Sequence, residues 1–321
     1  MKRLILVLVT PAVIGCATTH EPPGPRPGPS ASPADDYSAA DLLRVGQAYN
    51  KRGESLKAVT VLKKSLAKDP EQARAHYELG VALLRLEKRE EALVALEAAM
   101  RIDPQDRDTA LMLGMCYDLA GRPQEALAVY EKVVAEHPAD QALLHEMGNT
   151  LLILNRVPEA VAALEEASKS SKVSADLLGD LGYALLLSGK GKEAMAMLDR
   201  AHVMAPERPD IALNLGRAAL EASEPAKARE AFEVLVRLKA DDAGAWLLLA
   251  LARVRQGSFA DARDAAKKTV EIDAENPKAH FLLGVAQAAL GKKKLARRAM
   301  RKALKIDADF TPAKKWLREN K

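Results

Sequence analysis

The chain has 321 residues, of which 48% are apolar and 29% charged, and its formal net charge is +4. That length and apolar content are enough to bury a large core, so a wholly disordered chain is excluded, and two cysteines exclude a disulfide-stapled scaffold. The modest net charge conceals an asymmetry, since residues 291–321 hold twelve Lys or Arg against Asp307, Asp309 and Glu319.

Lys2 and Arg3 open the chain, and an apolar run from Leu4 to Ile14 follows, broken only by Thr10 and Pro11. A helix of that run would cover about 16 Å of a hydrocarbon layer about 30 Å thick, so it reads as the apolar region of a signal peptide and not as a membrane span. Val13-Ile14-Gly15-Cys16 resembles the bacterial lipobox, in which two apolar residues and a small one precede a cysteine. The resemblance implies a signal peptide over residues 1–15, cleavage before Cys16, diacylation of the Cys16 sulfur and acylation of the new amino terminus. Two or three acyl chains hold a protein on a bilayer where one does not. Ala17 stands where such lipoproteins carry an Asp for retention at the inner membrane, so the resemblance further implies the periplasmic face of the outer membrane. The alternative is an ordinary signal peptide, or an unprocessed start, with an incidental cysteine.

Residues 16–38 form a predicted spacer. Pro22, Pro23, Pro25, Pro27, Pro29 and Pro33, with Gly24 and Gly28, favour extended polyproline II, and about twenty residues at roughly 3.1 Å each reach on the order of 60 Å. With Cys16 assigned to lipid, Cys116 has no partner for a disulfide, and a small buried core residue is the reading it supports.

Residues 39–310 repeat every 34 positions without insertion or deletion. Ala58, Ala92, Ala126, Ala160, Ala194, Ala228, Ala262 and Ala296 recur at that interval, and twelve residues before each stands Gly46, Gly80, Gly114, Gly148, Gly182, Gly216, Ala250 or Gly284. Each unit carries two amphipathic helical patterns, each roughly 21 Å long. The small residues let the two backbones approach, and the larger apolar residue four after the recurrent Ala, such as Leu96, Tyr130, Leu164 or Phe232, is expected to fill the space between neighbouring pairs. Gly53, Gly121, Gly189, Gly257 and Gly291 fall between the helices, and Pro123 and Pro225 fall where a second helix begins. Ser38 is placed to cap the first helix, with Asp41 in its first turn. Residues 311–321 read as a capping helix that turns Ala313, Trp316 and Leu317 inward and leaves Lys314, Lys315 and Arg318 in water.

This pattern resembles the tetratricopeptide repeat, TPR, whose unit is a helix-turn-helix of the same length. The resemblance implies an all-α, right-handed superhelical solenoid of eight units with a concave groove lined by the first helix of each. In that family the fifth and ninth residues of a unit chiefly face the groove. Here they are Leu43 and Gln47, Tyr77 and Val81, Leu111 and Met115, His145 and Asn149, Gly179 and Tyr183, Leu213 and Arg217, Leu247 and Leu251, and Phe281 and Val285. Two apolar stretches thus flank a more polar middle, a lining suited to an extended or helical peptide. The clamp with which some family members hold an acidic carboxyl terminus is not matched, because His145 and Asn149 are followed by Asp180 and then by Asp210 with Asn214.

No catalytic constellation is present. The six histidines are scattered, and no phosphate loop, nucleophile elbow or zinc motif occurs, so neither a cofactor nor a metal is expected. The expected function is that of a non-enzymatic, lipid-anchored scaffold for an envelope machine. In arrangement it resembles the TPR lipoproteins that act as pilotins for the secretins of type IV and Tad pili. An adaptor that docks peptidoglycan hydrolases or synthases is the second reading. Nucleic acid is not an expected partner of an exported lipoprotein.

Overall fold

The computed structural model describes residues 37–320. Cys16, the signal peptide and most of the proline-rich spacer lie outside the described residues. Within them the chain forms seventeen helices and no strand. They run as antiparallel pairs: α1 (Ala39–Lys51) with α2 (Ser55–Lys68), α3 (Ala73–Arg85) with α4 (Arg89–Ile102), α5 (Arg107–Leu119) with α6 (Pro123–Val134), and α7 (Gln141–Ile153) with α8 (Val157–Ala167). The series continues with α9 (Ala175–Leu187) and α10 (Gly191–Met204), α11 (Pro209–Glu221) and α12 (Pro225–Leu238), α13 (Ala243–Gln256) and α14 (Phe259–Ile272), and α15 (Pro277–Ala289) and α16 (Lys293–Ile306). A last helix, α17 (Thr311–Glu319), packs on α16.

Local chemistry sets these boundaries. The Ser38 hydroxyl accepts the Asp41 N–H at 3.1 Å while the Asp41 carboxylate accepts the Ser38 N–H at 3.3 Å, a reciprocal cap that satisfies two donors at the start of α1. Asp106, Asp140, Ser174, Asp242 and Asn276 cap later first helices in the same sense. Between the two helices of each unit one residue is left-handed. Five of these are glycines, and Glu87, Asn155 and Ser223 take the same conformation, with φ of 59°, 59° and 64°. After Glu87 the Lys88 N–H reaches back to the Leu83 carbonyl at 3.0 Å, which satisfies a carbonyl at the end of α3 and sends the chain into α4. Pro123 and Pro225 occupy the first position of α6 and α12, where a missing N–H costs nothing.

All eight recurrent alanines are fully buried. The small residue of the first helix meets the large apolar residue of the second helix in the same unit: a Cβ built on Gly114 would lie 2.2 Å from Tyr130 Cζ, inside van der Waals contact. The large side chains therefore sit on the glycines of their own units, and the expectation that they fill the space between neighbouring units is corrected to that extent. The reason is distance, because a glycine leaves a hollow directly beneath the facing helix that no inter-unit gap matches.

First helices also touch their counterparts in the next unit: α1 with α3, α5 with α7, α7 with α9, α9 with α11, and α13 with α15. No two second helices pack comparably. The stack therefore curves with the first helices inside, and the residues they turn inward line the concave side.

Candidate partner-binding groove

Each first helix contributes partly buried side chains at the fifth or ninth position of its unit. Leu43 on α1, Tyr77 and Val81 on α3, Leu111 and Met115 on α5, His145 and Asn149 on α7, Tyr183 on α9, Leu213 and Arg217 on α11, Leu247 and Leu251 on α13, and Phe281 and Val285 on α15 are all half-buried. None is free of its neighbours and none is sealed in the core, the state expected of a lining. Gln47 is half-buried too, while Gly179 is buried with its Cα facing Ile211.

The amino-terminal end of the lining is more polar than its aliphatic residues suggest. Glu78 is 7% exposed, and its carboxylate accepts from Asn50 at 2.8 Å, Arg74 at 3.1 Å and Gln47 at 3.3 Å, which ties the first unit to the second. The Arg74 guanidinium also lies 4.5 Å from the centre of the Tyr77 ring, so cation and ring shield one another from solvent. At the other end the Phe281 ring meets Phe310 edge-on, with centres 5.6 Å apart. Phe281 is thus partly covered by the turn that leads into α17, and the free apolar surface expected there is smaller than the sequence suggests.

The middle holds a chain of ionisable groups. His145 Nε2 lies 2.8 Å from Asp180 Oδ2. Burial works against the imidazolium, yet the hydrogen bond and charge of Asp180 outweigh it and raise the His145 pKa. Burial raises the Glu146 pKa. It also pushes Asp118 up to about 6, against the opposing effect of the Thr150 hydroxyl, which donates to Asp118 at 2.6 Å. Tyr130 brings its hydroxyl into the same region with no partner among the described residues. The centre is therefore an acidic, partly desolvated patch with the His145 imidazole bonded to Asp180 at its edge.

Sequence reasoning missed one feature. Leu119, Ile153 and Leu187 close the first helices of three successive units and are 49%, 45% and 50% exposed. Arg85 and Glu221 hold the same repeat position on either side, so the apolar run is bounded by charge. The signal was available as an apolar residue 34 positions apart at the last turn of three helices, but periodicity alone marks such a residue as core.

The remaining candidates for chemistry are structural. Nε2 of His76 and of His280 lies 2.9 Å from the Pro70 and Ala274 carbonyl oxygens, and Trp246 at the same repeat position donates to the Ala240 carbonyl at 2.8 Å. These side chains latch the turn between units. Cys116 is a buried core residue whose thiol pKa burial pushes up to about 11, so it is neither a ready nucleophile nor a ready metal ligand. Among the described residues no three His, Cys, Asp or Glu side chains are placed to hold a metal ion, and no helix is long and apolar enough to cross a membrane.

The family description "Tetratricopeptide repeat" matches residues 145–209, 193–245, 213–277 and 247–309, together just over half of the chain. The chain is a tetratricopeptide repeat protein. A second description, "Psidin, N-terminal TPR repeats region", matches residues 50–155 of this TPR protein. No curated protein matches it in sequence. Among solved structures it is similar to PilW, described as a widely conserved type IV pilus biogenesis factor, at 16% identity and a TM-score of 0.54, over 62% of this chain and 92% of PilW. It is also similar to a tetratricopeptide repeat protein from Parabacteroides merdae, at 17% identity and a TM-score of 0.51, over 77% of this chain and 98% of that one. Both likenesses are likenesses of fold. The architecture is that of a scaffold for protein–protein interaction.

Proposed function

We propose that this TPR protein is a non-enzymatic, lipid-anchored scaffold on the periplasmic face of the outer membrane that helps assemble an envelope machine of the pilus or secretin kind. The observation that carries the scaffold part is the concave lining: half-buried apolar side chains at both ends, an acidic centre, and the exposed run Leu119, Ile153 and Leu187 along one edge. A peptide with apolar side chains at spaced positions and a basic group between them would satisfy all three at once. The anchor rests on the lipobox-like Val13-Ile14-Gly15-Cys16. The pilus direction rests on that anchor together with the shared fold of PilW, itself described as a pilus biogenesis factor.

The test is capture of the native protein from membranes after mild crosslinking, with wild type and Cys16→Ser compared. Wild type should label with palmitate, fractionate with the membrane and bring down a secretin or pilus component, whereas Cys16→Ser should stay folded and leave the membrane. Recovery of cell-wall hydrolases or synthases instead would establish the docking-adaptor reading, and unchanged membrane retention of Cys16→Ser would refute the lipid anchor.

A further inference from the structure

The carboxyl-terminal end of the solenoid carries a charge pattern that the groove does not use. Lys294, Arg298, Arg301 and Lys305 are exposed on one side of α16 at spacings of four, three and four residues, which places them on one helical face over about 16 Å. The opposite side of α16 buries Ala296, Ala299, Met300 and Ala303. The helix is therefore clamped to the body by its small apolar face and cannot turn its cations away. Lys315 and Arg318 on α17 add two more exposed charges.

What distinguishes these six is the absence of interspersed acids, since α16 carries seven Lys or Arg and no Asp or Glu. Lys302 is paired with Glu275 at 2.9 Å and Lys314 with Asp309 at 3.0 Å, but none of the six forms an ion pair within the described residues. Elsewhere carboxylates are interspersed among the cations, and many pair with them, as Asp140 does with Arg107 and Asp176 and Asp210 do with Arg208. A solubilising end needs no such segregation of sign, since interspersed charges serve solubility equally well.

We propose that this face of α16 and α17 is a second membrane contact, which lies against the anionic headgroups of a phospholipid bilayer. Two observations favour a flat anionic surface over an acidic protein socket. The six cations are spread across two helices, all exposed and none held by a buried polar group, so they sum as a diffuse field and impose no geometry on a ligand. The nearest recess, between Arg297, Arg301, Leu317 and Asn320, offers little to a single carboxylate, because the Arg297 guanidinium is already bonded to the Asn320 carbonyl at 2.6 Å. Leu295, 47% exposed beside the cations, adds an apolar side chain at the depth of the headgroups. With an acyl anchor at the other end of the chain, this contact would lay the solenoid along the bilayer and not upright on it.

The test uses the full chain carrying Cys16→Ser, so that no acyl chain contributes and the result does not depend on the lipid anchor. Co-sedimentation with phosphatidylethanolamine vesicles containing phosphatidylglycerol should exceed that with phosphatidylcholine vesicles about tenfold in about 0.1 M salt and vanish in about 1 M, where the screening length falls to about 3 Å. The combined variant Lys294→Gln, Arg298→Gln, Arg301→Gln and Lys305→Gln should lose that binding about tenfold with its helicity unchanged by circular dichroism. A matched control with Lys64→Gln, Lys132→Gln, Lys192→Gln and Arg237→Gln, all exposed elsewhere, should keep it. Equal binding to neutral vesicles, equal loss in both variants, wild-type binding by the α16 variant, or capture of an acidic protein by this face with vesicles ignored would each overturn the proposal.

Discussion

Ala250 of α13 and Ala266 of α14 occupy the two positions at which every other unit sets a glycine against Leu, Tyr, Phe or Met. Both alanines are fully buried in one cluster with Leu249 and Leu282. A methyl has been gained on one helix and a large side chain given up on the other, so the contact is conserved in kind while its volume is divided differently. This predicts the behaviour of the preceding unit. Gly216→Ala would drive a Cβ to 2.3 Å from Phe232 Cε1 and should cost about 1–3 kcal/mol. Phe232→Ala, at a side chain with no exposure, should cost about 3–5 kcal/mol. The double variant recreates the alanine pair and should be more stable than the two single costs added together. A double-mutant cycle from denaturant unfolding measures the coupling, and strict additivity would refute the contact.

The left-handed turn residue gives a second prediction. Glu87 and Ser223 hold φ of 59° and 64° where five other units place glycine. Left-handed backbone costs a residue with a side chain roughly 1–2 kcal/mol, and glycine returns part of that gain through its looser unfolded state. Glu87→Gly and Ser223→Gly should each raise stability by up to about 1 kcal/mol, and Asn155→Gly by less, since Asn tolerates this region better. Thermal unfolding midpoints check the order.

Asp118 makes stability depend on pH. Its carboxyl holds a proton more tightly in the folded chain, at a pKa of about 6, than at the ordinary value of 3.8. The folded state thus binds more protons between those values, so raising the pH through that window withdraws stability, and the penalty is complete above about 6. Asp118→Asn can still accept from the Thr150 hydroxyl and carries no charge. It should raise the unfolding midpoint at pH 7.5, with a benefit that shrinks towards zero as pH falls to about 4. Glu146, whose pKa is also raised, faces the same region and should reinforce the slope in both proteins. A pH-independent difference between wild type and variant would show that Asp118 is not buried in its charged form.

For the groove, Leu119, Ile153 and Leu187 offer a cleaner test than the aromatic residues. Phe281 leans on Phe310, so its replacement by Ser would disturb the carboxyl-terminal end as well as any ligand. The three aliphatic residues are about half exposed, and converting each to Ser should change stability by no more than about 0.5 kcal/mol. Together the three changes should weaken crosslinked capture of the native partner several-fold. Capture at wild-type level would move the binding surface away from that edge.

Much of this was legible in the chain itself. The period of 34, the small residue twelve before each recurrent Ala, the Ser38–Asp41 cap and the glycines between helices are local requirements. Backbone conformation and helix periodicity involve residues within one or two turns, and a linear sequence displays those directly. Lipidation at Cys16 stays an expectation, written in four adjacent letters that lie outside the described residues. What only the tertiary structure decided is which inward-facing side chains stay available. Leu119 and Leu113 are both leucines of α5, yet one is half exposed and the other 2% exposed. Phe281 is roofed by a turn some thirty residues later, and Asp118 is desolvated by a neighbouring unit that supplies Thr150. Burial is a sum over three or more helices that meet from different units. No window of one helix contains that sum.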